Sequence, residues 1–173
     1  MTRGTFSIGS NVGDRRAYLQ SVLDALGGSV VAVSPVYETA AWGPVPQDDY
    51  LNAILIVNGV GDAPSDWLDR IQALERAAGR ERSVRWGPRT LDVDLIQLVR
   101  ADGTAVRSDD PELTLPHPRA HERAFVLVPW ADVEPAAVLP GRGVVGDLAA
   151  ALSPQERATV SRRDDLALAV RVP

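Results

Sequence analysis

The chain has 173 residues, 45% hydrophobic and 24% charged, which is ordinary for a globular domain with a real core. The net charge of −5 argues against a general nucleic-acid binder, and the lack of cysteine excludes disulfides and cysteine-ligated metals. No apolar run approaches the about 20 residues of a membrane span, and the first ten residues lack a signal peptide's apolar core. We expect a single domain over residues 1–173 that acts in the cytoplasm as a monomer, without nucleic-acid or membrane partners.

All 18 basic residues are arginine. The simplest account is a GC-rich coding bias, so no arginine indicates a function by its mere presence. Any phosphate contact must nevertheless use a guanidinium, which is a planar, bidentate donor.

The N-terminal part alternates strand and helix patterns. Apolar residues alternate along residues 5–10, which predicts a strand, and residues 9–14 predict the turn that leads into a helix. Gly9 and Gly13 have a spacing that could suggest a phosphate loop, but the segment has no lysine and is therefore interpreted as a strand–helix turn. Apolar residues at helical spacing predict a helix that ends at Gly27. Residues 30–33 and 36–39 are predicted to be extended.

Residues 40–49 contain glycine, prolines and acidic residues and predict a long loop, which is a candidate lid or binding loop. Residues 50–57 predict a strand that places Tyr50 and Asn52 next to each other on one face. An aromatic ring can stack on a flat heterocycle and an amide can bond its edge. The alternative is a half-exposed pair on a sheet without a function.

A second helix is predicted after Asp62, its expected N-cap, with Pro64 in the first turn and Gly79 at the end. Gln72 and Glu75 lie off its apolar stripe, which consists of Trp67, Ile71, Leu74 and Ala78. Together with a strand at residues 91–99, the order becomes strand, helix, strand, strand, helix, strand. This order predicts an α+β fold with a ferredoxin-like antiparallel sheet, helices on one face and C-terminal additions.

The segment 85–95 carries the strongest chemical signal. On a strand, Asp92 and Asp94 share one face, about 7 Å apart, and two such carboxylates favour a cation between them. Hard cations such as magnesium are bound in this way, with phosphate oxygens completing the shell. Arg89 lies beside the pair and Arg80, Arg82 and Arg85 lie upstream. Either feature alone is more often a solvated surface; together they predict a magnesium–nucleotide site.

The C-terminal half is less informative. Residues 100–112 predict a loop, residues 125–130 a core segment, residues 144–152 a short helix, and residues 166–170 an edge strand; Ser153 and Pro154 are expected to open a last turn. His117 lies between two prolines, which suggests exposure. Near phosphates it could donate a hydrogen bond or a charge. Arg123 and Phe125 would share a face if this segment is extended.

Four motifs together resemble the 6-hydroxymethyl-7,8-dihydropterin pyrophosphokinase family. The most specific is the string Arg-Trp-Gly-Pro-Arg-Thr-Leu-Asp-Val-Asp, which ends at Asp94. The others are Gly-Ser-Asn at residues 9–11, Tyr-Leu-Asn at residues 50–52, and Leu-Pro-His-Pro at residues 115–118, followed by Arg123 and Phe125. The resemblance covers about residues 5–152, which leaves residues 153–173 as a C-terminal tail.

This resemblance implies an enzyme that transfers the terminal diphosphate of ATP to the hydroxymethyl group of the pterin, a step of folate biosynthesis. It implies that Asp92 and Asp94 hold two Mg²⁺ ions and that Arg80, Arg82 and Arg89 act in catalysis. The implied pterin contacts are Thr39, Ala41, Trp42, Tyr50, Asn52, Trp86 and Phe125. The implied ATP contacts are Gln72, Glu75, Arg89, Ile96, His117 and Arg123.

Two departures from the family pattern stand out. Ala40 and Ala41 occur where many members carry proline, which predicts a softer pterin loop. The segment 79–86 is a residue shorter than in some relatives, so the contacts of Arg80 and Arg82 with individual phosphates are not assigned.

Two other classes of function compete with the kinase. A ferredoxin-like sheet with exposed aromatics can bind RNA, which the net acidity and the paired aspartates oppose. An enzyme-like protein could also bind nucleotide without turnover, although every motif position here is filled.

Overall fold

The computed structural model describes residues 1–41, 46–79 and 88–170. Four residues expected to bind substrate or to act in catalysis, Trp42, Arg80, Arg82 and Trp86, lie outside these ranges, as does Arg85. Their roles therefore stay predictions.

Ten strands and five helices occur in the described ranges. The strands are β1 Thr2–Ser10, β2 Val30–Val33, β3 Tyr37–Thr39, β4 Tyr50–Asn58, β5 Asp92–Arg100, β6 Ser108–Asp110, β7 Leu113–Leu115, β8 Val138–Leu139, β9 Gly143–Val144 and β10 Val160–Arg162. The helices are α1 Arg15–Leu26, α2 Pro64–Ala77, α3 Ala124–Val133, α4 Val145–Ala150 and α5 Pro154–Arg157. No helix in the described part of the chain is long and apolar enough to cross a membrane.

The main sheet has six strands. Its path runs β10-β3-β4-β1-β5, and β2 also pairs with β4. Every pairing is antiparallel, which confirms the predicted sheet. The two central strands, β1 and β4, are buried along almost their whole length, because both faces of the sheet are covered.

Alternation along β4 divides the core into two clusters. Leu51, Leu55 and their same-face neighbours pack with α1 and α2. Ile54 and Ile56 point the other way and pack with Trp130 of α3. The predicted alternation is confirmed, and the helices of the C-terminal half cover the second face.

The prediction for α3 was limited by the pattern itself. The segment is apolar on nearly every side, and Val126 and Trp130 are completely buried. A short, continuously apolar run does not distinguish a buried strand from a buried helix. Residues 125–130 are core as expected, but they are helical.

Three local expectations were wrong. Asp62 is not the N-cap of α2; Asp66 accepts hydrogen bonds from the backbone N–H groups of Asp62 and Ala63. Residues 100–112 are not only loop, because β6 pairs with β7 as a small hairpin. The C-terminal edge strand is β10 and not residues 166–170, where Leu166 and Leu168 instead pack against the core.

Candidate active site

Three strands bring the predicted site residues into one row. In the sheet register, Gly9 of β1 is opposite Asn52 of β4 on one side and opposite Asp92 of β5 on the other. Ser7, two residues earlier on the same face, is opposite Asp94. Neighbouring strands lie about 4.8 Å apart, so the backbones of Asn52 and Asp92 are separated by about 10 Å.

Each of the two aspartates is paired with an arginine. Arg89 Nη1 donates to Asp92 Oδ1 at 2.6 Å, and Arg123 Nη1 donates to Asp94 Oδ2 at 3.1 Å. These side chains keep between a fifth and a third of their exposure, so all four can reach a ligand. The carboxylate face therefore has two arginines within contact distance, as the sequence predicted for Arg89.

The two aspartates have different electrostatic environments. Burial raises the pKa of Asp94 to about 6, and the charge of Asp92 adds to this effect, while Arg123 opposes it. Burial pulls the pKa of Arg89 down, but the carboxylate of Asp92 more than offsets this, and the pKa lies above its ordinary value. A cation at this position would relieve the repulsion between the carboxylates.

His117 is half-buried, so the exposure inferred from its flanking prolines was wrong. Its backbone N–H donates to the carbonyl of Ile96 at 2.7 Å, which fixes this segment against β5. Nδ1 accepts from the backbone N–H of Arg119 at 3.2 Å, which leaves Nε2 to carry the proton of the neutral ring. Burial, with help from Arg123 and Arg119, lowers the pKa of His117 to about 4.

The other end of the row is suited to a flat ring. Asn52 is buried and donates from Nδ2 to Oγ1 of Thr39 at 2.7 Å, which fixes the orientation of its amide. A Cβ atom on Gly9 would lie 2.7 Å from Oδ1 of Asn52, so only glycine leaves room for the amide there. The aromatic rings of Tyr50 and Phe125 line the same cavity as Asn52.

Arg123 connects the two ends of the row. Its backbone is extended at φ −108° and ψ 108°, and α3 begins directly after it. The guanidinium carbon lies 5.5 Å from the centre of the Phe125 ring while Nη1 contacts Asp94. The two side chains are brought together as expected, although Phe125 is helical.

Two adjoining cavities enclose these groups. The larger, of about 590 Å³, is lined by Thr39, Ala41, Tyr50, Asn52, Arg89, Asp92, Asp94, His117, Arg123 and Phe125, among others. The smaller, of about 280 Å³, is lined by Gln72, Glu75, Arg89, Asp92, Asp94 and His117, among others. The described residues expected to bind pterin thus lie around the larger cavity, and Gln72 and Glu75 lie around the smaller one.

Two of the residues expected to bind ATP, Glu75 and Ile96, make contacts that stabilise the fold. Glu75 is buried, and its carboxylate accepts from the backbone N–H of Val93 at 3.0 Å, which ties α2 to β5. Ile96 is completely buried in the cluster around Trp130 and lies outside the lining of both cavities. Its side chain is therefore not brought to the site, although its backbone carbonyl accepts the hydrogen bond from the N–H of His117.

Sequence reasoning did not assign several residues that line the larger cavity. Gly9 could have been found, because the alternation of Phe6 and Ile8 places it on the opposite face of β1. Gln47 and Thr159 also line the cavity, but they come from distant segments. No local pattern in the sequence indicates this.

The donor set fits a divalent cation shared with a polyphosphate. The described residues contain no group of three or more histidine, aspartate or glutamate side chains that could hold a metal alone. Asp92 and Asp94 would supply two carboxylates, which leaves the rest of a magnesium shell to phosphate oxygens and water, as is usual for this ion. The fold and the site together are those of an enzyme that transfers a phosphoryl or diphosphoryl group.

Comparisons with known proteins identify the family. The model of the 7,8-dihydro-6-hydroxymethylpterin-pyrophosphokinase (HPPK) family matches residues 5–135. Among curated relatives named 2-amino-4-hydroxy-6-hydroxymethyldihydropteridine pyrophosphokinase, that of Mycobacterium tuberculosis is 50% identical over 92% of this chain and 89% of its own length. The Mycobacterium leprae relative is 51% identical over 91% of this chain and 86% of its own. The chain therefore belongs to the HPPK family.

Solved structures agree on the fold. An HPPK-DHPS structure in complex with substrates matches with a TM-score of 0.66 at 9% identity, over 93% of this chain and 46% of that one. A Plasmodium falciparum HPPK-DHPS variant with pteroate gives a TM-score of 0.66 at 11% identity, again over 93% and 46%. This chain thus spans about half the length of those proteins. At such identities the similarity concerns the fold alone.

Proposed function

We propose that Asp92 and Asp94 hold two Mg²⁺ ions against the phosphates of ATP, while Tyr50, Asn52 and Phe125 hold the pterin at the other end of the row. As a member of the HPPK family, the chain is an ATP:pterin diphosphokinase. It transfers a diphosphate from ATP to the hydroxymethyl group of 6-hydroxymethyl-7,8-dihydropterin in folate biosynthesis, with AMP as the second product.

One observation carries the assignment of the two ends. Gly9 of β1 lies between Asn52 of β4 on one side and Asp92 of β5 on the other. A pterin bonded at its edge by Asn52 and a triphosphate held near Asp92 would then lie side by side on the sheet. The hydroxymethyl group and the β-phosphorus need only to meet above Gly9, which is the smallest residue the row could have there.

The chemistry required is mostly positioning and charge neutralisation. The alcohol oxygen attacks the β-phosphorus, the bond to the α-phosphate oxygen breaks, and AMP leaves. Magnesium, when bound, neutralises phosphate charge and acidifies the attacking hydroxyl. Arg89 and Arg123 already neutralise the two carboxylates. On ligand binding, their guanidinium groups would be available to the phosphates.

The nucleotide would lie in the smaller cavity beside Asp92 and Asp94, which is lined by Gln72, Glu75 and His117. His117 would contact it as a neutral donor through Nε2, because its pKa is far below 7. The general base is not assigned; among the described residues Asp94 is the candidate.

Other attributes belong to the same proposal. We expect the chain to act as a monomer in the cytoplasm, with residues 1–173 forming one domain. The tail supports the single domain, because β10 extends the main sheet beside β3.

The first alternative function is an RNA-binding module. The sheet face that would contact the RNA carries Asp92 and Asp94, and these carboxylates repel phosphates unless a cation lies between them. A catalytically silent nucleotide binder is the other rival.

Release of AMP from ATP, measured with and without the pterin alcohol, tests the proposal. We expect release that depends on both the pterin and Mg²⁺. Asp92→Asn should lower turnover by at least about 1,000-fold, because the Mg²⁺ that would hold the transferred diphosphate loses a carboxylate ligand. Asp109→Asn, an equivalent change at an exposed strand residue of β6, serves as the control and should leave turnover unchanged. Pterin-independent release, or an Asp92→Asn enzyme of normal rate, would refute the metal assignment.

A further inference from the structure

Asn11 follows β1 directly and is the last residue of the Gly-Ser-Asn motif. Only 1% of its surface is exposed. Its side chain lies outside the lining of both cavities, so a direct ligand contact does not account for its burial. An amide buried this deeply has to satisfy its hydrogen bonds within the protein.

Asn11 makes those hydrogen bonds to two separate segments. On one side, its Oδ1 accepts from the backbone N–H of Arg89 at 2.8 Å, and its own backbone N–H donates to the carbonyl of Arg89 at 3.1 Å. On the other side, its Nδ2 donates to Oε1 of Gln47 at 2.8 Å and to the carbonyl of Asp48 at 3.0 Å. A backbone donor and a backbone acceptor thus fix which way the amide points.

The two segments carry the two ends of the site. Arg89 contacts Asp92, where the phosphates are proposed to bind. Gln47 lines the larger cavity, and the chain continues through Asp48 to Tyr50 and Asn52 at the pterin end. The chain of contacts from Arg89 through Asn11 to Asp48 is therefore a bridge between them.

We propose that Asn11 is a positioning residue, which holds the phosphate-binding and pterin-binding walls of the site at a fixed separation through its two-sided amide. This inference rests on the proposed function of those walls. Asn11 itself touches neither substrate. Aspartate, its isostere, keeps the acceptor for Arg89 but has no N–H for Gln47 and Asp48.

This difference between the two halves of the amide gives a graded test. Asn11→Asp should raise the KM for the pterin by about 10-fold, while the KM for ATP changes by less than about 2-fold, because a lost hydrogen bond weakens one wall. Arg15 limits the damage, since its Nη1 still donates to the carbonyl of Asp49 at 2.8 Å. Asn11→Ala removes the side-chain hydrogen bonds to both segments and keeps only the backbone bond to the carbonyl of Arg89, so it should raise both KM values and also lower kcat.

Gln20 provides a matched control. It is a buried amide that ties α1 to one other segment, with Nε2 donating to the carbonyl of Ala169 at 2.8 Å and Oε1 accepting from the N–H of the same residue at 3.0 Å. It lies outside the lining of both cavities. Gln20→Ala should lower Tm about as much as the Asn11 variants while both KM values stay unchanged. If the Asn11 variants behave like Gln20→Ala, Asn11 has a structural role only and the proposal is wrong.

Amide hydrogen exchange keeps the inference separate from the proposed function. The N–H of Arg89 should exchange at least 10-fold faster in Asn11→Ala than in the wild type, and at nearly the wild-type rate in Asn11→Asp. Equal exchange in all three proteins would overturn the bridge. A wild type that exchanges as expected but releases no pterin-dependent AMP would instead refute the proposed function. If Asn11→Ala does not fold, an unchanged pterin KM in Asn11→Asp is sufficient to reject the inference.

Discussion

Replacing Gly9 by alanine should weaken pterin binding specifically. The added Cβ would lie 2.7 Å from Oδ1 of Asn52 and 3.4 Å from Cδ1 of Tyr50. The first distance is too short for any real contact, so the amide of Asn52 has to turn. The side chain of Asn52 is short and donates a hydrogen bond to Thr39, so its amide cannot turn without losing that hydrogen bond.

The magnitude follows from the hydrogen bonds that are lost. Breaking the buried bond between Asn52 and Thr39 costs about 1 kcal/mol of folding stability, which lowers Tm by about 3 °C for a chain of this size. A displaced amide also loses the two hydrogen bonds that it could make to a pterin edge, worth about 1 kcal/mol each. The dissociation constant for the pterin should therefore rise about 30-fold. Nucleotide affinity should change by less than about 2-fold.

Calorimetric titration of pterin and of a non-transferable ATP analogue measures the two affinities separately. Gly28→Ala is the control, since a Cβ there meets nothing within 4 Å. A double-mutant cycle with Asn52→Ala then asks whether the effect passes through the amide. Once the Asn52 side chain is absent, Gly9→Ala should add little. Full additivity of the two changes would show that the effect of Gly9→Ala does not pass through this amide, and wild-type pterin affinity in Gly9→Ala would refute the reasoning.

Four further outcomes are expected. At subsaturating Mg²⁺, kcat/KM should fall as the pH drops through about 6, because protonated Asp94 cannot bind the ion; more Mg²⁺ should move the midpoint down. Arg89→Ala should lower kcat by about 100-fold or more and weaken ATP-analogue binding far less. Asn52→Ala should weaken pterin binding and spare the nucleotide. Because burial lowers the pKa of His117 to about 4, the unfolded chain binds this proton more readily than the folded protein, and the free energy of unfolding should fall as the pH drops from about 6.5 toward about 4. Chemical denaturation of His117→Gln should show a smaller loss over that interval.

The elements of the N-terminal half could be predicted because each has a strong local signal. The alternation in β4 correctly assigned each apolar side chain from Leu51 to Val57 to one of the two core clusters, and it put Asn52 on the face of the site. The same reasoning put Asp92 and Asp94 on one face of β5, where they line the cavities. Period-2 patterns are reliable in these strands, because a one-residue slip would bury the aspartates in the core.

Two predictions failed because other residues took the expected role. Asp62 matches the ideal N-cap residue, but the carboxylate of Asp66 already bonds the backbone N–H groups at that terminus. The edge strand formed where β10 could pair with β3, although residues 166–170 are the more apolar segment. A strand needs a free edge in the correct register, and neither can be read from its own residues.

The site differs from the fold in what the residues alone could establish. The carboxylate pair and the nearby arginines predicted a metal and phosphates from charge and spacing, whereas the roles of Tyr50, Asn52 and Phe125 were predicted through the family resemblance.

The register of the sheet explains how these separate motifs form one site. Gly9, Asn52 and Asp92 belong to three motifs that are widely spaced in sequence, yet they are direct neighbours across the sheet. An antiparallel sheet fixes such neighbours to within one residue, so the residues proposed to bind the two substrates lie at a set separation on the two strands that flank β1. Under the proposed assignment the two substrates meet above Gly9, where an added Cβ atom would lie 2.7 Å from Oδ1 of Asn52, so this glycine belongs to the proposed reaction geometry together with the aspartates.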